Sequence, residues 1–149
     1  MEVGRVIESR TPSVAEGQVV CMAYGHKTGH IADAAHEFFA VLPPDISPIL
    51  GIYVAQMGPI CANGILHAAA DWVGPDVRDL YEGVRGRTVL VIGAGVVGLL
   101  TALFARLGGA AAVAVADPTP ERLEVARKLG FIAINENETE VWRYCKERW

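Results

Sequence analysis

The sequence predicts an α/β protein built on a partial parallel sheet, and three observations predict it. The run Thr88-Val89-Leu90-Val91-Ile92 is almost wholly apolar, as expected of a parallel strand buried on both faces. It enters Gly93-Ala94-Gly95-Val96-Val97-Gly98, and a long apolar stretch of helical character follows. A second apolar run, residues 111–116, ends in Asp117, about 20 residues beyond the last of those glycines. Strand, glycine turn, helix, strand and acid, in that order, are the parts that hold a dinucleotide.

Each part has a chemical reason. Gly93 permits the tight turn out of the strand. Gly95 leaves no Cβ between the backbone and a pyrophosphate, and Gly98 lets the helix pack closely on the sheet. Val96 and Val97 open the helix, where free N–H groups and the helix dipole favour phosphate. A carboxylate at Asp117 accepts hydrogen bonds from the adenosine ribose hydroxyls and repels a 2′-phosphate, so NAD is expected in preference to NADP. Two other readings compete. One is a glycine-rich packing face with no ligand. The other is a membrane span, because residues 89–105 hold a single polar side chain, Thr101. The early glycines, Arg106 and the Gly108-Gly109 stop favour the globular βαβ unit.

The elements follow in order. Residues 1–48 read as β-rich: strands are expected over Gly4–Glu8, Gly17–Ala23 and Phe38–Leu42, the last closed by Pro43-Pro44. From Ser47, an N-cap, and Pro48, an apolar helix is expected to Met57, where Gly58-Pro59 breaks it. A second helix runs from about Pro59 to Val73, with Ile65, Leu66, Ala69 and Val73 at helical spacing. A charged connector, Asp76 to Arg87, leads to the first parallel strand. After Asp117, Thr119 caps and Pro120 opens a helix whose inward face is Leu123, Ala126 and Leu129, and Gly130 ends it. Glu124 and Lys128 form an i,i+4 pair on this helix. Phe131–Ile134 is a third strand. Thr139 caps a last helix, with Val141, Trp142, Cys145 and Trp149 on or near one face.

Composition narrows the class. The chain has 149 residues, 52% hydrophobic and 20% charged, with a net charge of −4. A sizeable core is available, and no basic stripe points to nucleic acid. Cys21, Cys61 and Cys145 are scattered and form neither a CxxC pair nor a disulfide framework. The first residues lack the hydrophobic stretch of a signal peptide, so a cytoplasmic protein with no membrane association is expected.

Val3-Gly4-Arg5-Val6, Glu16-Gly17-Gln18-Val19-Val20, Leu42-Pro43-Pro44-Asp45-Ile46 and Leu66-His67-Ala68 resemble successive motifs of the medium-chain dehydrogenase/reductase family, of the zinc-type alcohol dehydrogenase kind. Gly93 to Gly98, Asp117, Arg122 and Ala126-Arg127-Lys128-Leu129-Gly130 resemble that family's cofactor series. The resemblance covers nearly the whole chain. It implies that residues 1–48 are a partial GroES-like barrel of the catalytic domain. It implies that residues 49–149 are the N-terminal half of a Rossmann domain with strand order 3-2-1, the chain being shortened at both ends. The activity implied is an NAD(P)-dependent oxidoreductase passing a hydride to or from an alcohol or carbonyl carbon of a small-molecule substrate. The resemblance also places Arg122 at the adenine or ribose edge and Asn63 near the nicotinamide. The residue reading leaves Asn63 equally well explained as a polar residue at a helix start.

The family's zinc ligands have no counterpart here. The third should fall near Pro59 or Ile60, neither of which binds metal, and Cys61 alone is no zinc site. Catalytic zinc is therefore not expected, and no catalytic acid–base set is identified. His26, His30, His36, Asp33 and Glu37 fall in one polar segment and read as loop, while His67 reads as a core or interface histidine and Cys61 as a small buried residue. With strands 4–6 absent, the first parallel strand has a bare edge. That edge favours a homo-oligomer and keeps open a second function, a non-catalytic dinucleotide-binding or self-associating module.

Overall fold

The computed structural model describes residues 2–23 and 25–149, which form two compact units, Met1–Ile60 and Cys61–Trp149. In the first, strands β1 (Glu2–Arg5), β2 (Val19–Met22) and β3 (Phe39–Val41) make an antiparallel sheet in the order β1-β2-β3. Val3 lies opposite Cys21, and Cys21 opposite Ala40. Val14, Val20 and Met22 bury one side, and Cys21, Leu42 and Ala55 the other. The sheet stays open and does not close into a barrel. The strands are shorter than the apolar runs, and β1 begins and ends earlier than expected.

The expected break at Gly58-Pro59 does not occur. A 3₁₀ turn (Pro48–Leu50) and a π-helical turn (Tyr53–Met57) lead without interruption into α1 (Gly58–Val73). Pro59 has no N–H for the carbonyl four residues back. The widened π turn absorbs that loss, and the Gly58 N–H donates to the Tyr53 carbonyl instead. Ser47 precedes the run, but its side chain caps nothing. The run Pro48–Val73 is long and apolar enough by length and composition to cross a bilayer, a test that core helices also pass. Along α1, Cys61, Ile65 and Ala69 are buried, whereas Leu66 and Val73 are exposed.

The second unit holds the parallel sheet. Strands β4 (Thr88–Ile92), β5 (Ala112–Asp117) and β6 (Ile132–Asn135) lie in the order β4-β5-β6, all pairs parallel. That is the 3-2-1 arrangement, with α2 (Val96–Leu107) and α3 (Pro120–Lys128) as crossovers. Val91, Val113 and Val115 pack with Ala102, Ala105, Ala126 and Phe131 in one core; Ala114, Ala116 and Ile134 face the other way, under Val141 and Tyr144 of α4 (Val141–Arg148). Small alanines at the helix–sheet contacts let the backbones approach closely.

Three expectations on this side need correction. Leu123 and Ala126 are the buried face of α3, but Leu129 is exposed, because it stands at the C-cap as the chain turns out through Gly130. Trp142 and Trp149 are exposed; only Cys145, with Val141 and Tyr144 beside it, turns inward on α4. The cap of α4 is Glu140, not Thr139: its carboxylate accepts from the N–H groups of Trp142 and Arg143.

Candidate dinucleotide site

The site is the loop between β4 and α2. The Gly93 N–H extends the sheet one bond past β4 by donating to the Ala116 carbonyl at 2.7 Å. The chain then reverses at Gly93, whose φ of +98° suits glycine alone. Gly98 sits on the turn it follows: a Cβ there would stand 1.8 Å from the Gly93 carbonyl oxygen. Gly95, by contrast, is extended, and a Cβ on it would meet nothing within 4 Å. The space over Gly95 is open.

Gly95 precedes α2 without any side-chain cap. Among the described residues, no backbone or side-chain acceptor receives the N–H groups of Val96, Val97 and Gly98. They are the orphan donors of a helix start, where an anion is favoured. The Val96 and Val97 side chains flank them and are about half exposed.

Asp117 ends β5 and is 2% exposed. Its Oδ2 accepts from the Ala94 N–H at 2.8 Å and its Oδ1 from the Thr119 N–H at 2.7 Å. The Arg122 guanidinium lies 3.6 Å from the same Oδ2 and is itself largely exposed. The Ala94 N–H is the main reason the Asp117 carboxyl is held below the ordinary carboxylate range; burial opposes it, and the Thr119 bonds and the Arg122 charge add to it. The acid is therefore ionised at neutral pH and grips the glycine loop. Sequence reasoning assigned Asp117 to a ligand and did not foresee this bond to Ala94, which a lone acid at a strand end does not announce.

Gly93, Gly95, Val96, Val97, Gly98, Asp117 and Arg122 thus converge around one helix start. Asn63 is exposed on α1, between the buried Cys61 and Ile65, and its side chain forms no hydrogen bond among the described residues. Cys61 is buried, with its thiol 3.5 Å from the Val97 carbonyl, which ties α1 to the start of α2. His67 is exposed and not a core residue.

Among the described residues, no group of three or more His, Cys, Asp or Glu side chains could hold a metal. In the β2–β3 loop, His30 pairs with Glu37 and His36 with Asp33, each at 2.9 Å, and the Asp33 N–H donates to the Glu37 carboxylate.

No family model matches the chain. It is 44% identical over 107 residues to an L-threonine 3-dehydrogenase of Saccharopolyspora erythraea, covering 60% of this chain and 31% of that protein. It is 35% identical over 98 residues to a zinc-type alcohol dehydrogenase-like protein of Schizosaccharomyces pombe, covering 65% of this chain and 20% of that one. The chain therefore spans less than a third of these curated relatives. Among solved structures, the alcohol dehydrogenase TADH of Thermus sp. ATN1 is 26% identical with a TM-score of 0.66, covering 98% of this chain and 50% of that chain. An NADP-bound structure from Sinorhizobium meliloti, 17% identical with a TM-score of 0.65 and covering 93% of this chain and 46% of that chain, shares the fold.

Proposed function

We propose, on the premise that the chain belongs to the medium-chain dehydrogenase/reductase family of the zinc-type alcohol dehydrogenase kind and carries its NAD(P)-binding fold, that it binds NAD and takes part in hydride transfer to or from an alcohol or carbonyl substrate without catalytic zinc. The observation that carries this reading is the uncapped start of α2, with three unclaimed N–H groups under the open space at Gly95. In this reading the N–H groups of Val96, Val97 and Gly98 hold the pyrophosphate. Each Asp117 oxygen keeps a lone pair beyond its backbone bond, and the adenosine ribose hydroxyls donate to these once the exposed Arg122 side chain swings aside. The ionised Asp117 disfavours a 2′-phosphate, hence NAD over NADP. Asn63 would hold the nicotinamide carboxamide. Bound NAD supplies the hydride-accepting carbon; the chain supplies orientation and fixed charge.

We further infer a cytoplasmic protein that takes a small-molecule substrate and has neither nucleic acid nor membrane as partner, a reading supported by its acidic net charge. Residues 1–48 act in this reading as part of a GroES-like catalytic domain, and residues 49–149 as half of the cofactor domain. The test is a fluorescence titration with NADH and with NADPH, followed by turnover assays on a panel of alcohols and aldehydes. Tighter NADH binding with turnover is expected; absence of binding to either nucleotide refutes the reading.

A second reading, a non-catalytic module that binds the dinucleotide or associates with itself, is favoured by the free edge of β4, where Ile92 is 64% exposed. Binding without turnover supports it. Light scattering is expected to show an oligomer that Ile92→Lys weakens; a monomer at high concentration would exclude self-association.

A further inference from the structure

The peptide unit between Pro118 and Thr119 is held at both ends. Its N–H, on Thr119, donates to Asp117 Oδ1 at 2.7 Å. Its carbonyl, on Pro118, accepts from Asn137 Nδ2 at 3.0 Å. The unit is trans and planar, with N–H and C=O directed oppositely, so a hold on one sets the direction of the other. Asn137 therefore fixes the plane that presents the Thr119 N–H to the Asp117 carboxylate.

Asn137 is itself held in place. It lies on the loop between β6 and α4, just beyond Asn135, which stands opposite Asp117 on the last rung of the parallel sheet. The Asn137 N–H donates to Asn135 Oδ1 at 3.0 Å, and Asn135 Nδ2 donates to the Glu138 carboxylate at 2.6 Å. The N–H groups of Glu138 and Thr139 both close on the Asn135 carbonyl. The loop is a braced turn, so the Asn137 amide reaches Pro118 from a fixed base.

We propose that Asn137 is a positioning residue for the adenosine ribose, acting on Asp117 through the Pro118–Thr119 peptide; this role rests on the dinucleotide reading and deepens it. To receive the ribose hydroxyls, Asp117 must keep a lone pair of each oxygen aimed outward. The Ala94 N–H holds Oδ2 and the Thr119 N–H holds Oδ1, so the carboxylate plane cannot turn. Release of the Pro118 carbonyl lets the peptide rock, the hold on Oδ1 loosens and the carboxylate rotates off the ribose. The loss falls on the 2′-hydroxyl contact and leaves the pyrophosphate contact at α2 alone.

The test titrates the full chain and Asn137→Ala with NADH and with its 2′-deoxyadenosine analogue, read by fluorescence. The parent is expected to bind NADH about tenfold tighter than the analogue, and Asn137→Ala to narrow that gap to about threefold or less. Without nucleotide, carbon NMR follows the Asp117 carboxyl against pH. The Ala94 N–H first, and the Thr119 bonds after it, hold this carboxyl low, so Asn137→Ala should move its midpoint up. In a parent that binds NADH, an unchanged gap or an unchanged Asp117 midpoint overturns the role of Asn137 alone. A parent that binds neither nucleotide overturns the dinucleotide reading and the ribose role with it. A Thr119 amide that exchanges in the parent as fast as an unprotected loop amide overturns the proposal without any substitution.

Discussion

Gly98 and Gly95 make opposite demands within one loop. At Gly98 a methyl group would collide with a backbone carbonyl that cannot step aside, so Gly98→Ala is expected to cost about 2 kcal/mol or more in a denaturant titration. At Gly95 the space is open and φ is −78°, so Gly95→Ala should leave stability within about 1 kcal/mol of the parent. The same methyl group would stand where the pyrophosphate is proposed to lie, weakening NADH binding about tenfold or more. Asp117 is a different case. Its folded pKa is depressed by the Ala94 and Thr119 N–H groups, so its contribution to stability is complete above the unfolded value near about 4. That contribution is lost as pH falls through the lower folded value. Asp117→Asn should therefore flatten the acid limb of a stability-against-pH curve, and an unchanged limb would remove Asp117 as the loop's anchor. The glycines and the acid were legible in the sequence because each fills a position few other residues tolerate. The Ala94 bond was not legible, since it depends on the loop folding back over β5.

The same contrast holds for whole elements. The parallel strands and α2 were readable because sheet strands and a helix lying on a sheet leave long apolar runs, but the first strand is not buried on both faces as expected: of β4 only Val91 is buried. The helical run through Pro59 was not, because a π turn is a local rearrangement that composition does not encode. At α4 the threonine preference for N-caps pointed one residue too early. The observed cap makes Glu140→Ala the damaging change, at about 1 kcal/mol, with Thr139→Ala close to neutral. Thermal unfolding of the two variants checks this, and the opposite order would return the cap to Thr139. Exposed Trp142 and Trp149 belong to the same lesson: on a short terminal helix, apolar residues outnumber the positions that can face inward.

For the molecule as a whole, the sequence carried the order of the elements, and that order determines the sheet. It carried less about the packing beside that sheet, where the Arg87 guanidinium stacks on Trp72 of α1 and no motif singled out either residue. The claim on which the functional account turns is that the start of α2 receives a diphosphate. Amide NMR during an NADH titration tests it most directly. The account predicts saturable shifts of the Val96, Val97 and Gly98 amides at concentrations where NADPH moves them less. Saturation of binding with those three amides unmoved would contradict it.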